Sequence, residues 1–173
     1  SRDSPVLRMD RSRAQPVNLR VDLGAQTLTL ERAGRPLQVY TVSTSKHGAG
    51  GTHGSFRTPR GRHVIRAKIG AGAPLDAVFR GRRATGEIYS AELARSNPNR
   101  DWILTRILWL SGTEIGRNRL GPVDTMRRYI YIHGTPDIDQ LGSPSSIGCI
   151  RMANRDIVEL FELVEAGTVV DIA

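Results

Sequence analysis

This 173-residue chain is poor in cysteine, aromatic residues and long apolar runs, and each shortage excludes a class of structure or function. With one cysteine it can form neither an intramolecular disulfide nor a multi-cysteine zinc site. Aromatic residues make up 5% of the sequence, and no recognised nucleic-acid-binding motif is present. The apolar run over residues 102–110 is broken by Thr105 and Arg106. It is too short for a bilayer, which needs about 20 apolar residues.

Lysine is also scarce, so the formal net charge of +8 comes almost entirely from arginine. Only Lys46 and Lys68 are lysines among the 25 basic residues. A composition of this kind can reflect a G+C-rich genome and a solvated surface, and a basic nucleic-acid-binding module is a second alternative. The arginines are dispersed, however, and the planar guanidinium suits bidentate carboxylate recognition. We therefore favour a carboxylate-bearing peptide or polymer over nucleic acid as partner. The candidate contacts are Arg82, Arg83, Arg127, Arg128 and Arg151.

The single cysteine, Cys149, has neighbours that favour a reactive thiol. A free cysteine is most often a small buried hydrophobic residue. Here Gly148 precedes the thiol, Ser145 and Ser146 lie upstream, and Arg151 follows two residues later. A nearby arginine lowers the pKa of a thiol and raises the thiolate fraction. Glycine lets the backbone approach a substrate closely. We interpret this segment as a nucleophile loop.

His133 is the candidate base for this nucleophile. Residues 129–132 alternate tyrosine and isoleucine, which is typical of a strand, and the strand is predicted to end at His133 and Gly134. A lone histidine is more often structural than catalytic. The presence of Cys149 favours a catalytic role for His133, because a nucleophile needs a base within hydrogen-bond reach and the base needs a group that orients it.

The segment from Tyr129 to Ala173 resembles the catalytic end of the YkuD-type L,D-transpeptidase family. In that family a strand ending in His-Gly is followed by a Ser-x-Gly-Cys-x-Arg segment, a helix and a final strand. Many members carry histidine where this chain has Ile147, so any role of that imidazole is absent here. The matching elements are His133-Gly134-Thr135, Ser146–Met152, residues 154–165 and residues 168–172.

Two weaker similarities extend the resemblance upstream to about Asn18. Residues 40–46 resemble a strand of the same domain, and residues 54–61 resemble its Thr-Pro-x-Gly turn. A Thr-Pro-Arg-Gly tetrapeptide alone is chiefly a turn signal. Its value lies in its agreement with the downstream motifs, and together they predict one domain over residues 17–173.

The resemblance implies a substrate and a set of roles. The substrate is a peptidoglycan or muropeptide stem tetrapeptide, cleaved between its third-position diamino acid and the terminal D-alanine. Cys149 forms a thioester, and His133 and Gly134 are its catalytic partners. The expected substrate contacts are Arg151, Ser146, Gly148 and Arg127.

The molecule that takes the acyl group from the Cys149 thioester decides which reaction occurs. An amine from another stem gives L,D-transpeptidation, which we favour, whereas water gives L,D-carboxypeptidation and trims recycled muropeptides. We expect a monomer without cofactor or transmembrane segment. The resemblance implies the bacterial periplasm, and the cytoplasm is the expectation if the native chain lacks a signal peptide.

The sequence predicts a mainly β, β-rich α+β fold, and the resemblance implies a curved sandwich or barrel-like sheet. Alternating apolar residues over 18–43 predict a meander of strands, and residues 63–69 predict another. Residues 70–100 show weak periodicity and are predicted to form a long excursion over the site. Residues 1–16 lack an apolar core segment and are predicted to be disordered.

One C-terminal helix is predicted to support the site, with Asn154 as its N-cap and Gly167 after its end. Its apolar residues fall at helical spacing and are expected to pack inward. They are Ile157, Leu160, Phe161 and Val164.

A metal site is a weaker alternative. His47 and His53 flank a glycine-rich loop and could chelate an ion, but no cysteine, aspartate or glutamate at a familiar spacing completes the set. We therefore expect no metal, and we expect this loop to form a turn or the rim of a cleft.

Overall fold

The computed structural model describes residues 15–173, and the predicted disorder of residues 1–14 therefore lies outside the described residues. Within this range the chain forms ten strands and two α-helices. The strands are β1 (Val17–Asp22), β2 (Thr27–Arg32), β3 (Arg35–Ser43), β4 (Gly61–Ile69), β5 (Ala77–Arg80), β6 (Arg83–Ile88), β7 (Ile103–Gly112), β8 (Tyr131–Thr135), β9 (Ile150–Ala153) and β10 (Val169–Ile172). The helices are α1 (Ala91–Ser96) and α2 (Asn154–Leu163). Two short 3-10 turns cover Gly121–Val123 and Ile138–Gln140.

The strands form one sheet that closes on itself. The order is β4-β10-β1-β2-β3-β9-β8-β7, and β7 pairs back to β4. The β5-β6 hairpin extends the sheet outward from β7. Closure leaves no unpaired edge around the ring itself, and side chains on the inner face fill the interior. The predicted mainly β, barrel-like fold with one C-terminal helix is confirmed.

The core follows from the two-residue period of the strands. In β1 the alternate residues Leu19 and Val21 are fully buried, and in β2 Leu28 and Leu30 lie opposite them across the antiparallel pair. These side chains join one apolar cluster with residues from β7 to β10 and from α2. The meander predicted for residues 18–43 is confirmed by β1, β2 and β3.

Helix α2 packs its apolar face against the strands β7, β8 and β9. The four residues predicted to point inward are all buried, whereas Glu162 and Glu165 are exposed. Glu159 is also exposed and accepts a hydrogen bond from the Tyr40 hydroxyl at 2.7 Å. The helix therefore supports the two strands that flank the cysteine segment.

The predicted N-cap of α2 is wrong. Ala153 occupies the cap position and makes no side-chain cap bond, because β9 runs directly into the helix. Asn154 is the first helical residue, and its side-chain amide donates instead to the Asp76 carboxylate at 3.2 Å.

Residues 70–100 are more ordered than their weak periodicity indicates. They contain the β5-β6 hairpin and the short helix α1, whose Ser90 side chain accepts from the Leu93 N–H. Phe79 of β5 packs with Tyr131 of β8 in a second apolar cluster, to which Cys149 also packs. Residues 70–100 are thus held next to Cys149 by the packing of Phe79. No helix within residues 15–173 has the length and apolar character needed to cross a membrane.

His63 of β4 makes the stability of the fold depend on pH. Its ring is fully buried between the Gly61 carbonyl at 3.0 Å and the Thr125 hydroxyl at 2.9 Å. Burial lowers the pKa of His63 from 6.5 to about 4. Between these two values the unfolded chain binds a proton that the folded chain does not, so stability falls as the pH falls through this window.

We expect His63→Gln to reduce the loss of unfolding free energy as the pH falls from 7 to 4. The wild type should lose about 3 kcal/mol more between pH 7 and pH 4 than the variant does, whatever the variant's stability at pH 7. Urea unfolding at both pH values measures this difference, and other groups common to both proteins cancel. Equal losses in the two proteins contradict the buried neutral state of His63.

Candidate active site

Strand pairing places the candidate nucleophile and base on one face of the sheet. In the parallel pair β8-β9, Ile132 lies opposite Ile150, and His133 lies opposite Arg151. The two isoleucines point into the main core. Because side chains alternate along a strand, His133 and Arg151 take the other face, and so does Cys149, two residues before Arg151.

The Cys149 thiol lies at the floor of a cavity of about 550 Å³. Its sulfur accepts the Tyr131 N–H at 3.3 Å, and its S–H donates to the Tyr129 carbonyl at 3.5 Å. Cys149 itself is half-buried. Apolar and aromatic walls surround it, formed by Phe56, Ile103, Tyr129, Ile130, Tyr131 and Ile147.

His133 is fully buried and has a fixed orientation. Its Nδ1 lies 2.6 Å from the Gly134 carbonyl oxygen. A carbonyl only accepts, so Nδ1 carries the proton, and in the neutral ring Nε2 is left with its lone pair. Within the described part of the chain this Nε2 has no hydrogen-bond partner. The imidazole is therefore oriented at one nitrogen and available as a base at the other.

Gly134 has no room for a side chain. A Cβ placed there would lie 2.7 Å from the Leu104 carbonyl and 2.9 Å from the Thr105 hydroxyl, and it would also clash with the Asn154 amide oxygen. Thr105 sits at a bulge of β7 with φ of +78°. Close packing of β7 and α2 against Gly134 thus holds the carbonyl that orients His133.

The nucleophile loop is held from within by Ser146. This residue is buried, its hydroxyl donates to the Cys149 carbonyl at 2.6 Å, and it accepts the Gly148 N–H at 3.2 Å. The Ser146 hydroxyl therefore bonds within the loop, and its predicted contact with substrate stays a prediction. Gly148 has φ of +130°, a conformation that favours glycine, and a Cβ there would press on Ile130.

The upstream motifs support the same loop. The Thr58 hydroxyl donates to the Gly148 carbonyl at 2.9 Å, and the Lys46 N–H donates to the Ser146 carbonyl at 2.9 Å. The Thr44 carbonyl accepts the N–H groups of Ser145 and Ser146. Residues 40–46 and 54–61 therefore lie against the cysteine segment, which explains why these distant stretches accompany it in the sequence.

The predicted arginines separate into different places. Arg82 and Arg128 line the thiol cavity, whereas Arg127 is exposed and lines a different cavity with Val64 and Asp124. Arg127 therefore lies outside the cavity that contains Cys149, and its predicted contact with substrate stays a prediction. Arg83 is exposed on β6 and does not line the thiol cavity.

Arg151 forms an ion pair, and the sequence pattern did not indicate its partner. Its guanidinium contacts the Asp101 carboxylate at 2.8 Å and is mostly buried. Asp101 also lines the cavity. The two charges offset each other beside the thiol, so Arg151 braces the loop more than it raises the positive potential there.

The electrostatics of the pair favour two neutral groups. Burial raises the pKa of the Cys149 thiol to about 12, against the lowering effects of the Tyr131 N–H, Arg151 and Arg128. Burial also lowers the pKa of His133, with the Gly134 carbonyl opposing it. Arg151 lowers the pKa of Cys149, as expected of a nearby arginine, but desolvation raises this pKa more and Asp101 raises it further. Burial thus favours the neutral form of both the thiol and the imidazole.

Sequence reasoning missed Asp101, the aromatic walls and the position of Phe56. Asp101 meets Arg151 across 50 residues of sequence, and no local pattern signals such a pair. From the sequence, Tyr129 and Tyr131 were interpreted only as residues of a strand, not as walls of a cavity. Ile147, at the position where many family members have histidine, is 43% exposed and makes this part of the wall apolar.

The alternative metal site has no support from the geometry. His47 lies beside the Phe56 ring at 6.4 Å, and His53 lines a neighbouring cavity with Phe56, Arg128 and Ile147. Across residues 15–173 no group of three or more histidine, cysteine, aspartate or glutamate side chains is placed to hold a metal ion.

Comparison with known proteins finds one family. The model of the YkuD family, described as the L,D-transpeptidase catalytic domain, matches residues 16–172. The chain is 26% identical over 158 residues to the Bacillus subtilis protein named "Putative L,D-transpeptidase YkuD", covering 91% of this chain and 66% of that protein.

Solved structures show the same fold. An L,D-transpeptidase from Mycobacterium smegmatis superposes with a TM-score of 0.54 at 18% identity, over 92% of this chain and 59% of its own. L,D-transpeptidase 3 from Mycobacterium tuberculosis gives 0.57 at 15% identity, over 92% and 61%. The chain thus spans about three fifths to two thirds of these relatives.

The neutral state of the thiol can be measured by the ultraviolet absorbance of its thiolate. We expect no Cys149-dependent rise in absorbance between about pH 6 and pH 9, because the raised pKa keeps the thiol protonated there, whereas an ordinary thiol ionises near 8.5. Cys149→Ser supplies the matched baseline, since the chain has no other cysteine. A thiolate signal already present at pH 7 contradicts the neutral pair.

Proposed function

Because the chain belongs to the YkuD family of L,D-transpeptidase catalytic domains, we propose that it is a cysteine acyltransferase that acts on peptidoglycan stem tetrapeptides. Cys149 is the nucleophile, His133 the base, and Gly134 the residue that orients the base. The product of the first step is a thioester between Cys149 and the third residue of the stem, with release of the terminal D-alanine.

One observation carries this proposal. The His133 ring is held at Nδ1 by the Gly134 carbonyl, while its buried Nε2 has no protein partner among residues 15–173. A buried polar atom without a partner costs free energy, and the lone pair of an oriented imidazole can accept a proton there. The thiol lies on the same face of the paired strands.

The first half-reaction starts from two neutral groups. His133 Nε2 takes the proton from the Cys149 thiol as the sulfur attacks the peptide carbonyl, so the thiolate need not accumulate beforehand. A tetrahedral intermediate forms with a new carbon–sulfur bond. Backbone N–H groups of the nucleophile loop, that of Cys149 foremost, stabilise its oxyanion; each such donor contributes roughly 2.7 to 4 kcal/mol in measured enzymes.

The intermediate collapses by breaking the carbon–nitrogen bond. The imidazolium of His133 gives its proton to the departing amine, which leaves as D-alanine, and the thioester remains. An amine of a second stem then attacks the thioester carbonyl, His133 takes its proton, and the sulfur leaves and recovers that proton. This sequence crosslinks two stems; water in place of the amine yields a trimmed tripeptide.

The other residues of the loop have positioning roles in this proposal. Gly148 and Ser146 set the loop conformation that presents the thiol, and Arg151 fixes the loop to Asp101. None of these three needs to touch the substrate for the thiol to be correctly placed.

Incubation with a disaccharide tetrapeptide tests the proposal. We expect wild-type protein to give crosslinked dimers and free D-alanine by mass spectrometry, and Cys149→Ala to reduce both by at least about 10³-fold. Unchanged circular dichroism and unfolding midpoint of the variant serve as the control for folding.

The products separate the alternatives. Tripeptide and D-alanine without dimers indicate L,D-carboxypeptidation, with the same Cys149 dependence. Failure to obtain any Cys149-dependent product contradicts both acyl-transfer activities. Salt-dependent DNA retention that survives Cys149→Ala would then support the nucleic-acid-binding alternative.

A further inference from the structure

The thiol cavity carries more positive than negative charge. Its charged lining side chains are Arg82, Asp101 and Arg128. Asp101 is already paired with Arg151 at 2.8 Å. Neither Arg82 nor Arg128 forms an ion pair with a carboxylate in the part of the chain that the structure describes. The cavity is therefore electrostatically suited to an anionic group that the protein itself does not supply.

The two arginines differ in how their donors are used. Arg128 donates to the carbonyls of Gly50 and Arg57, at 3.2 and 2.6 Å, and to the Ser55 hydroxyl at 3.3 Å. Its guanidinium thus ties two loops together. Arg82 makes one hydrogen bond, to the Tyr131 hydroxyl at 3.1 Å. Most of the five N–H donors of Arg82 have no protein acceptor within residues 15–173.

Aromatic rings hold the Arg82 guanidinium in place. Its central carbon lies 4.6 Å from the centroid of the Trp109 ring and 4.8 Å from that of Tyr129. Stacking occupies the flat faces of a guanidinium and leaves the N–H groups at its edge, where a carboxylate binds in bidentate fashion. A cation held in this way loses little conformational entropy when it binds an anion.

The backbone at Arg82 adopts a conformation that is costly for this residue type. Gly81 and Arg82 form the two-residue turn of the β5-β6 hairpin, with φ of +54° and +63°. Such turns favour glycine and asparagine, and an L side chain in this region costs about 1 kcal/mol. Strained positions of this kind concentrate at functional sites.

Tyr131 connects this arginine to the thiol. Its backbone N–H donates to the Cys149 sulfur, and its hydroxyl accepts from Arg82. The guanidinium therefore lies one tyrosine side chain away from the reacting sulfur, along one wall of the cavity. An anion bound there belongs to the part of a peptide that neighbours the attacked carbonyl.

From these contacts we propose that Arg82 binds a carboxylate of the donor peptide, and that the protein therefore selects donors with a free carboxylate beside the attacked carbonyl. The proposal rests on the acyl-transfer function proposed above. The carboxylate has two possible sources, the terminal carboxylate of the leaving residue and the side-chain carboxylate of a third-position diamino acid. Arg82 is thus a specificity-determining residue.

Binding of three tetrapeptides to Cys149→Ala protein tests this without requiring turnover. One peptide carries both carboxylates, and each of the others has one of them converted to an amide. Calorimetry is done with Arg82 intact and with Arg82→Gln, Arg82→Lys and the control Arg80→Gln. Arg80 is an exposed arginine on the same hairpin, outside the cavity.

We expect one of the two amides to bind roughly 10- to 100-fold more weakly than the diacid, which identifies the carboxylate that Arg82 contacts. Arg82→Gln should weaken the diacid by the same factor and leave that amide unchanged. Arg82→Lys should recover part of the preference, and Arg80→Gln should keep all of it.

Other outcomes overturn the proposal. Equal weakening of all three peptides by Arg82→Gln indicates only that Arg82 holds the hairpin, and absent or equal binding of acid and amides contradicts a carboxylate site. The two proposals can also fail separately. If Cys149→Ala protein shows an Arg82-dependent preference for the acid but wild-type protein gives no products, the carboxylate site stands and the acyl-transfer function fails.

Discussion

The hydrogen bond between the His133 ring and the Gly134 carbonyl is the contact on which the rest of the site depends. It fixes the tautomer, so that Nε2 carries the lone pair of the neutral ring. The carbonyl keeps its place because Gly134 is packed against β7 and the first residue of α2 with no space for a Cβ. The closed sheet and the C-terminal helix thus convert a backbone oxygen into the orienting group that other cysteine and serine enzymes take from a side chain.

Burial of the site also determines the protonation states that Cys149 and His133 favour. It raises the pKa of Cys149 and lowers that of His133, so the resting pair is neutral. Asp101 offsets the charge of Arg151, which removes the expected source of a stable thiolate. In the proposed mechanism, proton transfer therefore accompanies attack of the sulfur on a bound substrate. Positive charge is instead available at Arg82, on the wall that Tyr131 shares with the thiol.

Periodicity in the sequence predicted the β1–β3 meander and the buried face of α2, and a specific motif predicted the family. The sequence could not separate Arg127 from Arg128, since their directions depend on a turn in which Tyr129 has φ of +56°. The conformation of the nucleophile loop was equally unpredictable, because it depends on distant residues: Thr44 accepts the Ser146 N–H, and Thr58 donates to the Gly148 carbonyl. The Asp101–Arg151 pair and the thiol pKa are likewise products of the folded state.

The tautomer and charge of His133 test this account most directly. Nitrogen-15 NMR of the imidazoles, with His133→Gln used to assign the signals, reports which ring nitrogen carries the proton. We predict a neutral ring at pH 7, protonated at Nδ1 and bare at Nε2. An imidazolium at pH 7, or a neutral ring protonated at Nε2, would contradict the account, because neither has a lone pair at Nε2 to receive the proton of Cys149.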